Sequence, residues 1–138
     1  MGWLDTWFSL YAVLKRIFAD HRQFRFESYS LFFINELAVG VKVIIPHMGL
    51  LNGGYGAFVK KGIWDNPNVY ADTALASSND IKDYIENFGY DRILFGSDFP
   101  FGDPKEELCK IQDLSIHQQK KDMILGHNLR RLLKDSNI

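Results

Sequence analysis

The stretch at residues 92–101, RILFGSDFPF, constrains the fold of this chain more than any other. Residues 92–95 are apolar after the leading arginine, which predicts a short strand buried on both faces. Gly96 then allows a sharp turn, and Pro100 prevents further strand pairing. Asp98 therefore lies just beyond the carboxyl end of a buried strand, where parallel α/β proteins carry their ligands and reactive groups.

Asp98 also has a purely structural interpretation, because an aspartate after a strand commonly caps the next helix. Asp103 suits that role better, since Pro104 follows it at the first helical position. Glu106 and Glu107 then lie in the first turn, where acidic side chains are favoured. Asp98 is left without a structural role, and we predict that it is a functional residue.

Two earlier strands are predicted at residues 41–45 and 68–71, the first a β-branched run that ends at Pro46. Strands that alternate with helices indicate an α/β fold with a parallel sheet and right-handed connections. Because parallel strands end at a shared edge, the polar residues after them should gather at one rim. Those residues are His47, Asp72 and Asp98.

Helix signals fill the intervals between the strands. Serines and Asn79 can cap a helix over residues 80–88, which Gly89 ends, and Asp103 caps a helix over residues 104–112. Ser115 and Gln118 form a capping box. The predicted helices cover residues 3–19, 27–38, 57–62, 80–88, 104–112, 115–125 (stopped by Gly126) and 128–133 (capped by Asn128).

Composition excludes several classes of function. The net charge of −1 has both signs interspersed along 138 residues, so we expect no nucleic-acid or membrane partner. The single Cys109 rules out an internal disulfide and suits the reducing cytoplasm; we expect it to be buried as a small apolar residue. The remaining histidines, expected to be solvated, are His21, His117 and His127.

Three motifs at the strand ends resemble those of a known family: PHMG at residues 46–49, NVYADT at 68–73 and DRILFGSDFP at 91–100. They resemble the C-terminal half of the metal-dependent amidohydrolases, the branch that includes relatives of aminocarboxymuconate-semialdehyde decarboxylase. The resemblance implies a partial TIM (β/α)8 barrel. A single domain of residues 1–138 would then comprise a helical lead-in (1–40) and the last three βα units (41–138).

The resemblance also implies site residues and a cofactor. His47 matches the sixth-strand histidine, which binds a metal or polarises the substrate. Asp98 matches the eighth-strand aspartate, a metal ligand that takes a proton from the attacking water. The implied cofactor is a divalent metal, most often zinc in this family, and the substrate is a small molecule. Ser97 and Asp72 are lesser candidates at the same rim.

The chain departs from the family pattern in two respects. It contains no His-x-His pair, which supplies first-strand ligands in the family, and its length is about half of a ~250-residue barrel. A half-barrel leaves strand edges and an apolar inner face uncovered. We therefore expect a homo-oligomer, or assembly with a missing N-terminal half-barrel.

Three hypotheses of function follow. The first is a truncated metal-dependent hydrolase in which metal-activated water attacks a C–N, ester or related bond, with decarboxylation as the variant reaction. The second is an inactive half-barrel that acts as an oligomerising or binding module. The third is an open α/β domain that binds an anion through the glycine-rich loop at residues 49–56.

Overall fold

The computed structural model of the chain describes residues 34–135. It begins with four helical residues, 34–37, so the predicted lead-in helices and His21 lie outside the described part. The three predicted strands are present, although each is shorter than expected or shifted by one residue. They are β1 (Val43–Ile45), β2 (Val69–Asp72) and β3 (Ile93–Leu94).

Helical segments follow each strand. A 3-10 segment, Pro46–Asn52, leads from β1 into the first helix, and a π-helical segment, Met123–His127, joins the last two helices. The helices are α1 (Gly54–Lys60), α2 (Ser78–Phe88), α3 (Pro104–Gln112), α4 (Gln118–Asp122) and α5 (Asn128–Asp135). No helix among the described residues is both long enough and apolar enough to cross a membrane.

The three strands form one parallel sheet in the order β1-β2-β3, as the alternating pattern predicts. Val43 lies opposite Val69, and Ala71 lies opposite Ile93. Every residue of β2 and β3 is buried, which explains their nearly continuous apolar character. This pairing brings the carboxyl ends of all three strands to one edge of the sheet.

An aromatic cluster fills the core between the sheet and the helices. The ring of Trp64 stacks on Phe58 at 5.2 Å and meets Tyr84 edge-on at 5.3 Å. All three side chains are fully buried, and Ile81 of α2 is buried with them. Offset and edge-to-face contacts are the favoured aromatic geometries, so the cluster fixes α1 and α2 against the sheet.

Two predicted helix caps are confirmed. The Ser77 hydroxyl accepts a hydrogen bond from the Asp80 N–H at 3.0 Å, and Asp103 accepts one from the Lys105 N–H at 2.8 Å. Gly89 ends α2 with a φ of 82°, the left-handed conformation that glycine adopts at least cost. Because Asp103 caps α3, Asp98 is indeed free of that role.

The interpretation of the C-terminal segment was wrong in detail. The N-cap of α4 is His117, whose side chain makes no capping hydrogen bond. Gly126 does not end a helix, because it lies inside the π-helical segment Met123–His127. The Ile124 carbonyl in this turn accepts a hydrogen bond from the Phe95 N–H at 3.0 Å. The π turn thus supplies an acceptor to the chain leaving β3, and buried N–H groups require one.

Asn128 is not a helix cap either. Its side chain is fully buried and donates to the carbonyls of Tyr90 at 2.6 Å and Ile93 at 2.9 Å. It lies four residues from Ile124 and from Leu132, which are also buried, so it belongs to the inward stripe of this helix. A side-chain amide therefore ties the last helix to β3.

Cys109 was expected to be buried, but it is exposed. The buried face of α3 carries Glu107 and Ile111. Cys109 lies two positions from each of them and so points away from that face.

We expect Asn128→Leu to lower the free energy of unfolding by about 2–4 kcal/mol, because two buried carbonyls lose their donor. Chemical denaturation measures this change. Asn87→Leu is the matched control, since the Asn87 amide also donates to a backbone carbonyl, at 2.8 Å, but is exposed. Equal losses in the two variants would contradict the role assigned to Asn128.

Candidate active site

His47 lies in an unusual turn directly after β1. Three successive residues have left-handed backbone conformations: His47 with φ 41°, Met48 with φ 49° and Gly49 with φ 82°. A Cβ at Gly49 would lie 2.2 Å from the Phe58 ring, so a glycine is needed there on two counts. Left-handed non-glycine residues cost about 1–3 kcal/mol each and concentrate at functional sites.

The His47 imidazole is partly buried and incompletely bonded. Its Nδ1 atom is shielded from solvent and has no hydrogen-bond partner among residues 34–135. Burial lowers the pKa of His47 below its usual value of 6.5, and the nearby Asp98 carboxylate only partly opposes this effect. His47 is therefore mainly neutral at pH 7, the form in which imidazole binds a metal or accepts a proton.

Asp98 occupies a tight turn between β3 and α3. Its backbone is left-handed, with φ 52°, and its carbonyl accepts hydrogen bonds from the Phe101 N–H at 2.8 Å and the Gly102 N–H at 3.2 Å. The side chain is exposed. Its charge interacts with both His47 and Asp72, so the three rim residues form one electrostatic group.

Asp72 is the most enclosed of the three. It is 8% exposed, and one carboxylate oxygen accepts a hydrogen bond from the Ala74 N–H at 2.8 Å. Burial raises the pKa of Asp72 to about 6, opposed by the Ala74 and His47 backbone N–H groups and reinforced by the Asp98 charge. A Cβ at residue 96 would lie 2.1 Å from the carboxylate, so Gly96 is what lets β3 pass beside it.

The loop after Asp72 is held by side chains of α3. The Glu107 carboxylate accepts a hydrogen bond from the Leu75 N–H at 3.2 Å. The Lys110 ammonium donates to the carbonyls of Thr73 at 3.2 Å and Ala76 at 2.8 Å, and forms an ion pair with Glu107. Glu107 is buried and Lys110 is largely buried. The sequence predicts Glu107 only as an acidic residue in the first turn of the helix, so its burial was not expected.

The structure thus brings His47 and Asp98, the two predicted site residues, to the same rim, with Asp72 beside them. Their functional roles stay predictions. Within residues 34–135, no three histidine, cysteine, aspartate or glutamate side chains are grouped so that they could hold a metal ion. His117 and His127 are exposed, as expected. A cavity of about 370 Å³ between α2 and α3 includes none of the rim residues.

A signal for Glu107 and Lys110 was present in the sequence. Glu107 precedes Ile111 by four residues and Leu114 by seven, the spacing of one helix face. An acidic residue on that apolar face requires a partner, and Lys110 is three positions away.

The fold and the rim define a parallel α/β protein with ionisable side chains at the carboxyl ends of its strands. The amidohydrolase family model matches residues 34–134. The chain therefore belongs to the amidohydrolase family, in agreement with the resemblance of the three motifs. No curated protein sequence matches the chain.

Several decarboxylases are among the solved structures with a similar fold. A 2,6-dihydroxybenzoate decarboxylase from Rhizobium matches with a TM-score of 0.60 at 21% identity, over 84% of this chain and 44% of its own. A dihydroxybenzoic acid decarboxylase from Polaromonas sp. JS666, with bound manganese and the inhibitor 2-nitroresorcinol, matches with a TM-score of 0.61 at 22% identity, over 87% of this chain and 46% of its own. A 5-carboxyvanillate decarboxylase from Sphingomonas paucimobilis matches with a TM-score of 0.55 at 19% identity, over 67% of this chain and 33% of its own. The chain spans less than half of the length of these proteins.

We expect Gly96→Ala to destabilise the fold by about 1–3 kcal/mol, because the added methyl group would overlap the Asp72 carboxylate. Gly56→Ala is the matched control: its Cβ would meet nothing within 4 Å, and alanine is the better helix former. Denaturation of both variants measures the effect. An unchanged stability in Gly96→Ala would show that Asp72 is less confined than the structure indicates.

The raised pKa of Asp72 predicts a pH dependence of stability. Since the folded pKa, about 6, exceeds the value of about 3.9 for an unfolded aspartate, this group costs nothing well below pH 4, where it is protonated in both states. Stability is lost as the pH rises from about 4 through 6, by about 2–3 kcal/mol in total. Asp72→Asn should remove this loss, so that its unfolding free energy gains on the wild type between pH 4 and pH 7. Parallel pH profiles of the two proteins would contradict the prediction.

Proposed function

We propose that this chain carries part of the active site of a metal-dependent amidohydrolase-family enzyme that acts on a small, carboxylate-bearing molecule. The observation that carries this proposal is the buried Nδ1 of His47, which has no partner in the described part of the chain and lies within reach of the Asp98 charge. An unsatisfied buried nitrogen costs about 1–3 kcal/mol. Such a cost is expected where the atom has a ligand in the working protein.

The donor set fits a divalent ion in part. A neutral imidazole and a carboxylate are ligands that zinc and manganese both accept. Two ligands are fewer than the three that a catalytic zinc site usually has. His47 and Asp98 would therefore hold the ion together with ligands from outside residues 34–135.

A divalent ion bound there would act as a Lewis acid on a substrate oxygen or lower the pKa of a water molecule. The chain's own residues would do the rest. The exposed Asp98 carboxylate can accept a proton at the rim, and His47 can stabilise negative charge that develops beside it. Asp72, bonded to backbone N–H groups, would hold the rim in shape rather than react.

Decarboxylation is the reaction we favour over hydrolysis. The solved structures of similar fold are decarboxylases of aromatic acids, and one of them contains manganese. The likeness is one of fold, so the support it gives extends to the class of reaction and of metal and not to a particular substrate. We therefore propose a carboxylate-bearing substrate and a divalent metal, zinc or manganese.

We also propose that the chain forms only part of a barrel. The described residues supply three parallel strands, and the similar structures are more than twice as long as this chain. We propose that a working site requires further strands, from a second copy of the chain or from a separate N-terminal half-barrel.

A second candidate is a non-catalytic, oligomerising half-barrel. It is favoured by the apolar residues exposed near β1, of which Val39 and Leu51 are each 82% exposed and Val41 is 62% exposed. Exposed apolar side chains of this kind mark contact surfaces when they are contiguous. This candidate predicts a stable oligomer that binds no metal.

Metal titration of the full chain separates the two candidates. We expect Mn²⁺ to broaden the amide NMR signals of residues around His47 and Asp98, and Asp98→Asn to weaken this binding about tenfold or more, because a charged ligand is lost. Asp103→Asn is the matched control, since Asp103 lies on the same loop but caps α3, and asparagine caps equally well. Wild-type protein without broadening, or equal binding by the two variants, would contradict the metal proposal.

A further inference from the structure

The first observation is that α3 binds the backbone of the loop after β2. Glu107 accepts from the Leu75 N–H, and Lys110 donates to the carbonyls of Thr73 and Ala76. Thr73 is fully buried and Ala76 is 7% exposed, so neither carbonyl can readily turn to water instead. The Glu107–Lys110 pair therefore supplies hydrogen-bond partners to three backbone groups of this loop, beside the Ala76 N–H, which also donates to the Thr73 carbonyl at 3.1 Å.

The second observation is that this loop carries strain next to Asp72. Leu75 has a left-handed backbone, with φ 54°. Such a conformation persists only when neighbouring contacts fix it, and the contact at Leu75 is the Glu107 carboxylate. Ala74, which donates to Asp72, is the preceding residue, so a loop released at Leu75 would also release the Asp72 carboxylate.

The third observation is that α3 is joined directly to the turn that carries Asp98. α3 begins at Pro104, six residues after Asp98, so the helix that holds the Asp72 loop is also the one to which the Asp98 turn is attached. Asp72 in turn interacts with the backbone N–H of His47, in the segment after β1, which partly offsets the burial of its carboxylate. One ion pair on α3 therefore connects all three strand-end loops.

We propose that Glu107 and Lys110 are positioning residues that fix Asp72, and through it His47, relative to Asp98. The pair acts on the site through the backbone from Thr73 to Ala76 and forms no hydrogen bond or ion pair with His47 or Asp98. The proposal rests on the proposed function only in treating this rim as a metal site; the positioning itself is a property of the metal-free chain.

Hydrogen exchange of the metal-free protein tests the positioning. In Lys110→Met, the Ala74 amide should exchange about tenfold faster than in the wild type, because local opening of the loop becomes easier. The amide signals of Gly96 and His47 should shift as well. Lys110→Arg, which keeps the charge and the donors, should restore slow exchange at Ala74.

Arg131→Met is the control for a purely structural effect. Arg131 also pairs with a carboxylate, that of Asp91, and donates to the Asp91 carbonyl at 2.6 Å, but it is on α5 and away from the rim. We expect this variant to leave exchange at Ala74 and the signals of Gly96 and His47 unchanged. Ala74 exchange no faster in Lys110→Met than in Arg131→Met would overturn the proposal.

Two further measurements keep the tests separate. If Lys110→Met does not fold, Glu107→Gln is measured in its place. Glutamine can still accept a hydrogen bond from the Leu75 N–H, but the ion pair with Lys110 is lost. Unchanged exchange of the Ala74 amide in Glu107→Gln would also overturn the proposal. Mn²⁺ titration should show weaker binding by Lys110→Met than by Arg131→Met. Wild-type protein that binds no Mn²⁺ would remove the metal proposal, while the exchange result would still decide the positioning.

Discussion

The parallel pairing of β1, β2 and β3 is the constraint on which the site depends. Hydrogen bonds between neighbouring parallel strands fix their direction and their register, and the register here places Ile45 opposite Ala71. The loop that follows each strand therefore begins at the same edge of the sheet. His47, Asp72 and Asp98 come together because of that geometry, although successive members of this set are 25 and 26 residues apart in sequence.

Holding these side chains at one edge is costly, and the structure offsets the cost with backbone groups. Asp72 is a buried carboxylate whose pKa is raised by desolvation, and N–H groups from two loops partly compensate for the lost water. Glu107 is similarly buried but has a lysine and a backbone N–H as partners. His47 differs, since its buried Nδ1 has no partner within the described residues. The unsatisfied group is thus the one with the most direct potential for chemistry.

Much of the fold could be predicted from the sequence because strand, cap and turn signals are local. The β-branched run before Pro46, the Ser77 cap and the Asp103–Pro104 start of α3 each depend on a few adjacent residues. Contacts between distant residues decided what the sequence did not reveal. Asn128 looked like a cap because asparagine favours that position, but its burial against β3 depends on a strand some 35 residues earlier. The sequence likewise indicated the rim residues, but it did not reveal the left-handed backbone of their turns. It also did not reveal the hydrogen bonds from α3 to the loop after Asp72.

The incomplete donor set of the proposed metal site and the edge of β1 left unpaired by the described residues are two consequences of the same geometry. Among the described residues β1 and β3 each pair only with β2, and the Phe95 N–H just after β3 donates to the Ile124 carbonyl. A further parallel strand added beside β1 would end next to His47, because parallel strands finish at the same edge. Its last residues would border the unpartnered Nδ1, and its backbone would satisfy the free edge. Covering the edge and completing the metal ligands would therefore be a single event, and the side chain at the end of that strand would decide whether the rim can hold an ion.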